Sequence, residues 1–331
     1  MSYKSYKNPV ADTTPWYLLT KDQQISYVDT FCPSHLVEGM NKFIEDGFLI
    51  VKNSITHEVC DEAIKGFSDL VANNPIAFDG VEKNNSDDPR AHGNQAMYHR
   101  IGNTHLASKR IANAFTSNNA LEYVNFMFRS KPALYTSLYY QRGSAQEIHR
   151  DTPYFTTNPM HYYVGFSVSL EESNSDNGCL EVMKGGHLVD ELDLNSILKS
   201  LGKDVNNLVA TDDETWTTYQ SLMKQNCLDN DLTVTPAYTD KGDTLIWHPQ
   251  LPHGGSIIKT ANSRNSLINH VTPVGMPVYL QDIFFNENAK SSQSTNWQYR
   301  EFESCYIRYG DSINLNNVRN VQLKDLKSDI T

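Results

Sequence analysis

The segment from Tyr163 to Leu170 alternates without a break. Val164, Phe166, Val168 and Leu170 fall on one face of an extended chain, and Tyr163, Gly165, Ser167 and Ser169 fall on the other. One face is apolar and the other is mostly small and polar, which is the pattern of a sheet packed on one side only. The period of two recurs through the second half of the chain. In Leu134 to Gln141 one face reads Tyr135, Ser137, Tyr139 and Gln141, and the other Leu134, Thr136, Leu138 and Tyr140. Cys179 to Met183, Thr244 to His248 and Arg264 to Val271 read as further strands, punctuated by Gly, Pro and Asn.

Helical spacing dominates earlier. Leu36, Val37, Met40, Phe43 and Ile44 recur at helical intervals and stop at Gly47, a C-cap residue, after which Phe48 to Val51 reads as a short buried strand. Thr56 can cap a second helix with Val59, Ala63, Ile64, Phe67 and Leu70 on its buried stripe. From Asn73 to Arg90 the pattern dissolves into an exposed loop, and Val189 to Asp231 reads as an insertion with helical pieces at Ile197 to Leu201 and Trp216 to Met223. The expected fold is mainly β with flanking helices, a β-sandwich or jelly roll braced by helices. We expect a single domain over 1–331: helical support to about 130, a strand core over about 131–275 holding the insertion at about 189–231, and a C-terminal extension from about 276.

Charge narrows the partners. The 331 residues include 39 acidic and 28 basic side chains, a net charge of −11. Without a basic cluster, neither nucleic acid nor an anionic membrane surface is an expected partner. No window approaches the ~18 apolar residues of a membrane span, and Met1 to Leu19 lacks an export signal's apolar core. The five cysteines are scattered and lack a Cys-x-x-Cys pair, so they read as reduced thiols in a cytoplasmic compartment. No Gly-x-Gly-x-x-Gly, phosphate loop or Gly-x-Ser-x-Gly elbow is present, which removes nucleotide-driven and serine-hydrolase chemistry.

Chemistry concentrates in Glu147-Ile148-His149-Arg150-Asp151. On an extended segment His149 and Asp151 point the same way, so an imidazole nitrogen and a carboxylate oxygen can reach one metal ion. His253, in the turn Leu251-Pro252-His253-Gly254-Gly255, is a candidate third ligand; His248 competes, and His253 can also be read as a plain strand end. Two His and one carboxylate occupy one face of an octahedron and leave positions open on non-haem Fe(II). Eleven residues beyond His253, Arg264 and Ser266 share a strand face and can grip one carboxylate, unless Arg264 is a surface residue of an edge strand. His187 and His270 either line a pocket or are structural, and Tyr98, Tyr154, Phe155 and Trp247 either wall a substrate or pack in a core.

Taken in order, these segments resemble the phytanoyl-CoA dioxygenase family of Fe(II)- and 2-oxoglutarate-dependent oxygenases. The resemblance rests on His149-Arg150-Asp151, on Asp176-Asn177-Gly178-Cys179-Leu180-Glu181-Val182 continuing to Gly185-Gly186-His187, on Gly242 to His248 leading to His253-Gly254-Gly255, and on Arg264; the opening Phe43 to Val51 also matches. It covers about Val37 to Thr272. It departs from the family at Lys184-Gly185-Gly186-His187, where Pro-Gly-Ser-His is usual, and in the long insertion.

What the resemblance implies is a double-stranded β-helix of cupin type. Iron would be held by His149, Asp151 and His253, and the distal carboxylate of 2-oxoglutarate by Arg264, with Ser266 assisting and Ser167 or Tyr139 as further co-substrate contacts. With O2 as second co-substrate, an unactivated C–H bond of a small molecule would be hydroxylated, cyclised or desaturated, with release of succinate and CO2. Asp151 sets the chain apart from related halogenases, which lack that carboxylate. Two segments can cover the barrel mouth: 79–105, with His92, Tyr98, His99 and Arg100, and the insertion. Tyr98, His99 and Arg100 are candidate contacts for an acidic or polar substrate, unless the loop is merely solvated. A non-catalytic cupin-like binder of metal and small molecules is the rival reading and would release no succinate. A zinc hydrolase would leave Arg264 and Ser266 without an anion.

Overall fold

The computed structural model describes residues 3–10, 13–81, 97–289, 297–315 and 319–329. Along the chain come α1 (Lys21–Phe31), α2 (Val37–Asp46), β1 (Phe48–Val51), α3 (His57–Asn73), β2 (Ile101–Gly102), α4 (Lys109–Thr116), α5 (Leu121–Phe128), β3 (Pro132–Tyr140), β4 (Val164–Ser169) and β5 (Leu180–Met183). The insertion contributes α6 (Leu194–Ser200) and α7 (Asp213–Asp229), followed by β6 (Val234–Ala237), β7 (Thr244–Trp247), β8 (His253–Gly255), β9 (Ser266–Pro273), β10 (Tyr306–Arg308) and β11 (Ser312–Leu315).

Six strands of the large sheet run β10-β3-β9-β4-β7-β1, and the small sheet β8-β5-β6 faces them. This is the double-stranded β-helix, mainly β with flanking helices. The apolar face of β4, with Val164, Phe166 and Val168, packs with Phe43 of α2, Phe67 of α3 and Phe115 of α4 in the largest core. The other face looks into the barrel, where Leu245, Trp247, Val182 and Leu251 form a second, smaller core between the sheets. Thr56 accepts a hydrogen bond from Val59 N at the start of α3, and Gly47 ends α2 at φ +82°, a left-handed conformation that suits glycine. The alternation of β4 is needed at Gly165, where a Cβ would lie 1.8 Å from the Trp247 indole.

Three boundaries differ from expectation. Helices α6 and α7 are longer than the expected pieces. β9 begins at Ser266, so Arg264 lies just before the strand. The C-terminal extension is part of the scaffold: β10 pairs in parallel with β3, and β11 pairs with β2.

The faces of β3 also depart from simple alternation. Opposite β9, His270 pairs with Thr136 and Val271 with Leu134, so Tyr135 is an extra residue in the ladder. A bulge of this kind reverses parity. Leu134 and Tyr139 consequently share the helix-side core, while Thr136, Leu138 and Tyr140 face the barrel interior.

Candidate metal centre and its cavity

His149 and His253 form an antiparallel bridge in which each N–H donates to the other's carbonyl at 2.8 Å. Their rings are 4.6 Å apart between centroids. Asp151, two residues on, places Oδ1 4.0 Å from His149 Nε2 and 3.7 Å from His253 Nε2. Each Nδ1 sits against a backbone carbonyl, His149 on Glu147 O at 2.8 Å and His253 on Leu251 O at 3.0 Å. A carbonyl can only accept, so Nδ1 holds the proton and Nε2 offers its lone pair to the shared space. One ligand atom from each of the three residues lies within 4.8 Å of the others, close enough to hold one metal ion. His248 is elsewhere, buried against Tyr17, Phe43 and His187.

Protonation suits a cation. Burial, aided by the neighbouring His253, lowers the pKa of His149 to about 4. Burial would raise that of Asp151, but His270, His253 and His149 outweigh it and hold the carboxyl well below the usual carboxylate range. At neutral pH the carboxylate is ionised and the His149 imidazole neutral, as ligation requires. The second oxygen is also engaged: Trp247 Nε1 donates to Asp151 Oδ2 at 3.4 Å, and His270 Nε2 lies 3.3 Å from it. These contacts fix which oxygen faces the two imidazoles.

The three residues open into a cavity of about 440 Å³ that Arg264 also lines. Arg264 is 6% exposed and donates from Nη1 to Gly178 O at 2.5 Å, while its Nε and the Ser266 hydroxyl are buried without a partner. Burial alone pushes the Arg264 pKa down. Such a guanidinium is costly unless an anion meets it. Ser167 lines the same recess as Arg264 and Ser266.

The insertion braces this centre. Gln220 of α7 accepts from Arg150 N at 2.8 Å and donates to Arg150 O and Thr152 O, both at 2.9 Å, clasping the segment that carries two of the three residues. Arg150 itself is buried against Glu191, Tyr219 and Gly186 O. One turn before Gln220, Trp216 stacks on Tyr154 at 4.5 Å with planes 1° apart, and both line the cavity. Sequence reasoning missed Trp216 and Gln220 as site residues. Their spacing of four on a helix, with an amide on an otherwise apolar stripe, was the available signal.

Some expected contacts lie elsewhere. Tyr139 faces away from the cavity, paired with Leu267 of β9 on the helix side; it stacks on Phe67 at 4.0 Å, and its hydroxyl donates to Asn265. Tyr98 packs with Phe67 and Phe78 in the helix-side core, since the aromatic ring of this loop residue finds apolar cover there. His99 is half-buried and is not among the lining residues, whereas Arg100 is. His187 packs beside His248, with Nε2 3.1 Å from Ile44 O. Tyr154, Phe155, Trp247 and His270 do line the cavity. His92 and most of the expected loop cover lie outside the described residues.

Residues 43–266 match the family model "Phytanoyl-CoA dioxygenase (PhyH)". No curated protein matches the sequence. Among solved structures, the epimerase SnoN in complex with Fe3+, alpha ketoglutarate and nogalamycin RO is similar at a TM-score of 0.56 and 14% identity, covering 83% of this chain and 99% of its own. The non-heme alpha ketoglutarate dependent carbocyclase SnoK from nogalamycin biosynthesis is similar at 0.51 and 10% identity, covering 78% and 94%. At these identities the likeness is one of fold.

Proposed function

The chain belongs to the phytanoyl-CoA dioxygenase family, and from that membership we propose that it is an Fe(II)- and 2-oxoglutarate-dependent oxygenase acting on a small molecule. The observation that carries this reading is the pairing, in one cavity, of the His149–Asp151–His253 cluster with a buried Arg264 whose Nε lacks a partner. A metal alone would explain the first feature and leave the second without an anion.

The residues fit both groups. His149, Asp151 and His253 would hold iron from one side, the donor set suited to non-haem Fe(II) with positions left open. Arg264, Ser266 and Ser167 would receive the distal carboxylate of 2-oxoglutarate, satisfying the two buried donors that have no partner. When bound, iron with 2-oxoglutarate and O2 supplies the oxidising power to take a hydrogen from an unactivated C–H bond, with succinate and CO2 released. The chain's own part is to orient. Trp247 fixes Asp151 with His270 beside it, the backbone bridge fixes the two imidazoles, and Tyr154, Phe155 and Trp216 wall the cavity against water.

Anaerobic titration with Fe(II) and then 2-oxoglutarate should develop the visible charge-transfer band of chelated 2-oxoglutarate, and admission of air should release succinate slowly without substrate. Absence of the band removes the proposal. A band without succinate would favour a non-catalytic binder.

A further inference from the structure

Arg264 is not the cavity's only cation. Arg100 precedes β2, whose Ile101 pairs with Tyr139 of β3 and is buried in the helix-side core. Alternation therefore turns Arg100 to the opposite side, into the cavity. Its backbone sits at φ +55°, a region that residues with a Cβ seldom occupy, and Gln141 N donating to Tyr98 O holds the segment in place. Among the described residues the guanidinium makes no hydrogen bond or ion pair, and its Nε is buried without a partner. Burial pushes the Tyr140 phenol up while Arg100 and Arg264 both pull against it, so the two guanidiniums act on the same cavity-facing side chain.

We propose that Arg100 anchors a carboxylate of the substrate, and that the enzyme acts on a small organic acid with an apolar or aromatic body. The inference rests on the reading of Arg264 as the co-substrate's anchor. Charge supports it: with iron and 2-oxoglutarate in place, the two arginines and Fe(II) exceed Asp151 and the dianionic co-substrate by one positive charge, which a monocarboxylate neutralises. A phosphate would call for more cations than the lining provides. Size agrees, since about 440 Å³ must hold co-substrate and substrate together. That is near the low end of the roughly 300–1,000 Å³ typical of ligand sites. The body would lie against Leu138, Leu180 and the Tyr154–Trp216 stack.

The test compares binding of hydrocinnamic and indole-3-acetic acids with that of their primary amides, by calorimetry on Mn(II)-loaded protein with and without N-oxalylglycine. Wild type should prefer each acid by about tenfold or more, the scale of one charge-assisted hydrogen-bonded pair. Arg100→Gln should erase the preference, Arg100→Lys should restore part of it, and N-oxalylglycine affinity should stay within about twofold in both. Equal binding of acid and amide, failure of both acids to bind, or a loss of N-oxalylglycine affinity in Arg100→Gln matching that in Arg264→Leu overturns the proposal. A wild type that prefers acids through Arg100 yet does not bind N-oxalylglycine keeps this anchor and removes the reading of Arg264 instead.

Discussion

His149 and His253 are locked together by backbone before any ligand arrives: each N–H donates to the other's carbonyl at 2.8 Å, and each Nδ1 is turned to a carbonyl of its own segment. The separation of the two Nε2 atoms is therefore set by main chain and ring orientation together. Asp151 completes the cluster and contributes its one carboxylate, so it dominates the attraction for a divalent ion.

Asp151→Ala should lower Mn(II) or Fe(II) affinity by more than about 100-fold, beyond the 10–100-fold typical of losing a residue that merely orients a ligand. His253→Ala should do likewise, and His248→Ala, in a residue packed among aromatic rings, should leave metal affinity nearly unchanged. Calorimetry on the metal-free protein measures this. Near-normal affinity in Asp151→Ala would refute the assignment.

Arg264→Leu should weaken 2-oxoglutarate by about 10- to 100-fold, because a charge-assisted hydrogen bond contributes ~1.5–3 kcal/mol. Metal content should be unaffected, since Arg264 is not one of the clustered ligand residues. Loss of metal with unaltered 2-oxoglutarate affinity would reverse its role.

How far the sequence could be read depended on whether local pattern decided the outcome. β4 was legible because its alternation is uninterrupted and its two faces differ sharply in size and polarity. β3 was not, because both of its faces mix aromatic and polar residues, and the bulge at Tyr135 is set by pairing with β9. With both faces mixed, the pattern could not say which one meets the cavity, and Tyr139 lies on the helix side. The cluster of His149, Asp151 and His253 was readable because two members share one short segment and the third ends a strand. The spacing of Trp216 and Gln220 marks one helix face, but that this face clasps Arg150 depends on how the inserted helix docks, which the spacing does not specify.

Gly165→Ala tests the tightness of the barrel interior. The added methyl would overlap the Trp247 ring, and overpacking of this kind costs about 1–3 kcal/mol. Because Trp247 Nε1 donates to Asp151 Oδ2, the displaced indole should also loosen the metal site. A lower melting temperature together with weaker Mn(II) binding is expected; wild-type values for both would show that the indole is not fixed there.

Gln220→Leu would leave Arg150 N, Arg150 O and Thr152 O without their partner in a buried setting. Each unsatisfied group costs about 1–3 kcal/mol, so a loss of several kcal/mol is expected, with weaker metal binding in the variant that remains folded. Gln220→Glu keeps an acceptor for Arg150 N and should be milder in its effect on that one bond. Urea unfolding and metal titration of both variants separate the two contributions, and equal stability of Gln220→Leu and wild type would show that α7 does not brace the segment.

Buried histidines outside the site give the fold its own pH dependence. Burial lowers His105 to about 3 and His187 to about 4, and holds His248 well below the ordinary value. In the unfolded chain each titrates near the ordinary histidine value of about 6.5. As pH falls through that value the unfolded state takes up protons and the folded state does not, so stability is complete above about pH 6.5 and declines down to the folded values. At pH 5 the loss is about 2 kcal/mol for each of His105 and His187. The melting temperature should drop by more than about 5 °C between pH 7.5 and pH 5. His105 is 3% exposed with Nδ1 2.6 Å from Ser137 Oγ, and His105→Asn should flatten the profile by about its own share even if it is less stable at pH 7.5. A His105→Asn profile parallel to that of wild type would show that this imidazole titrates alike in both states.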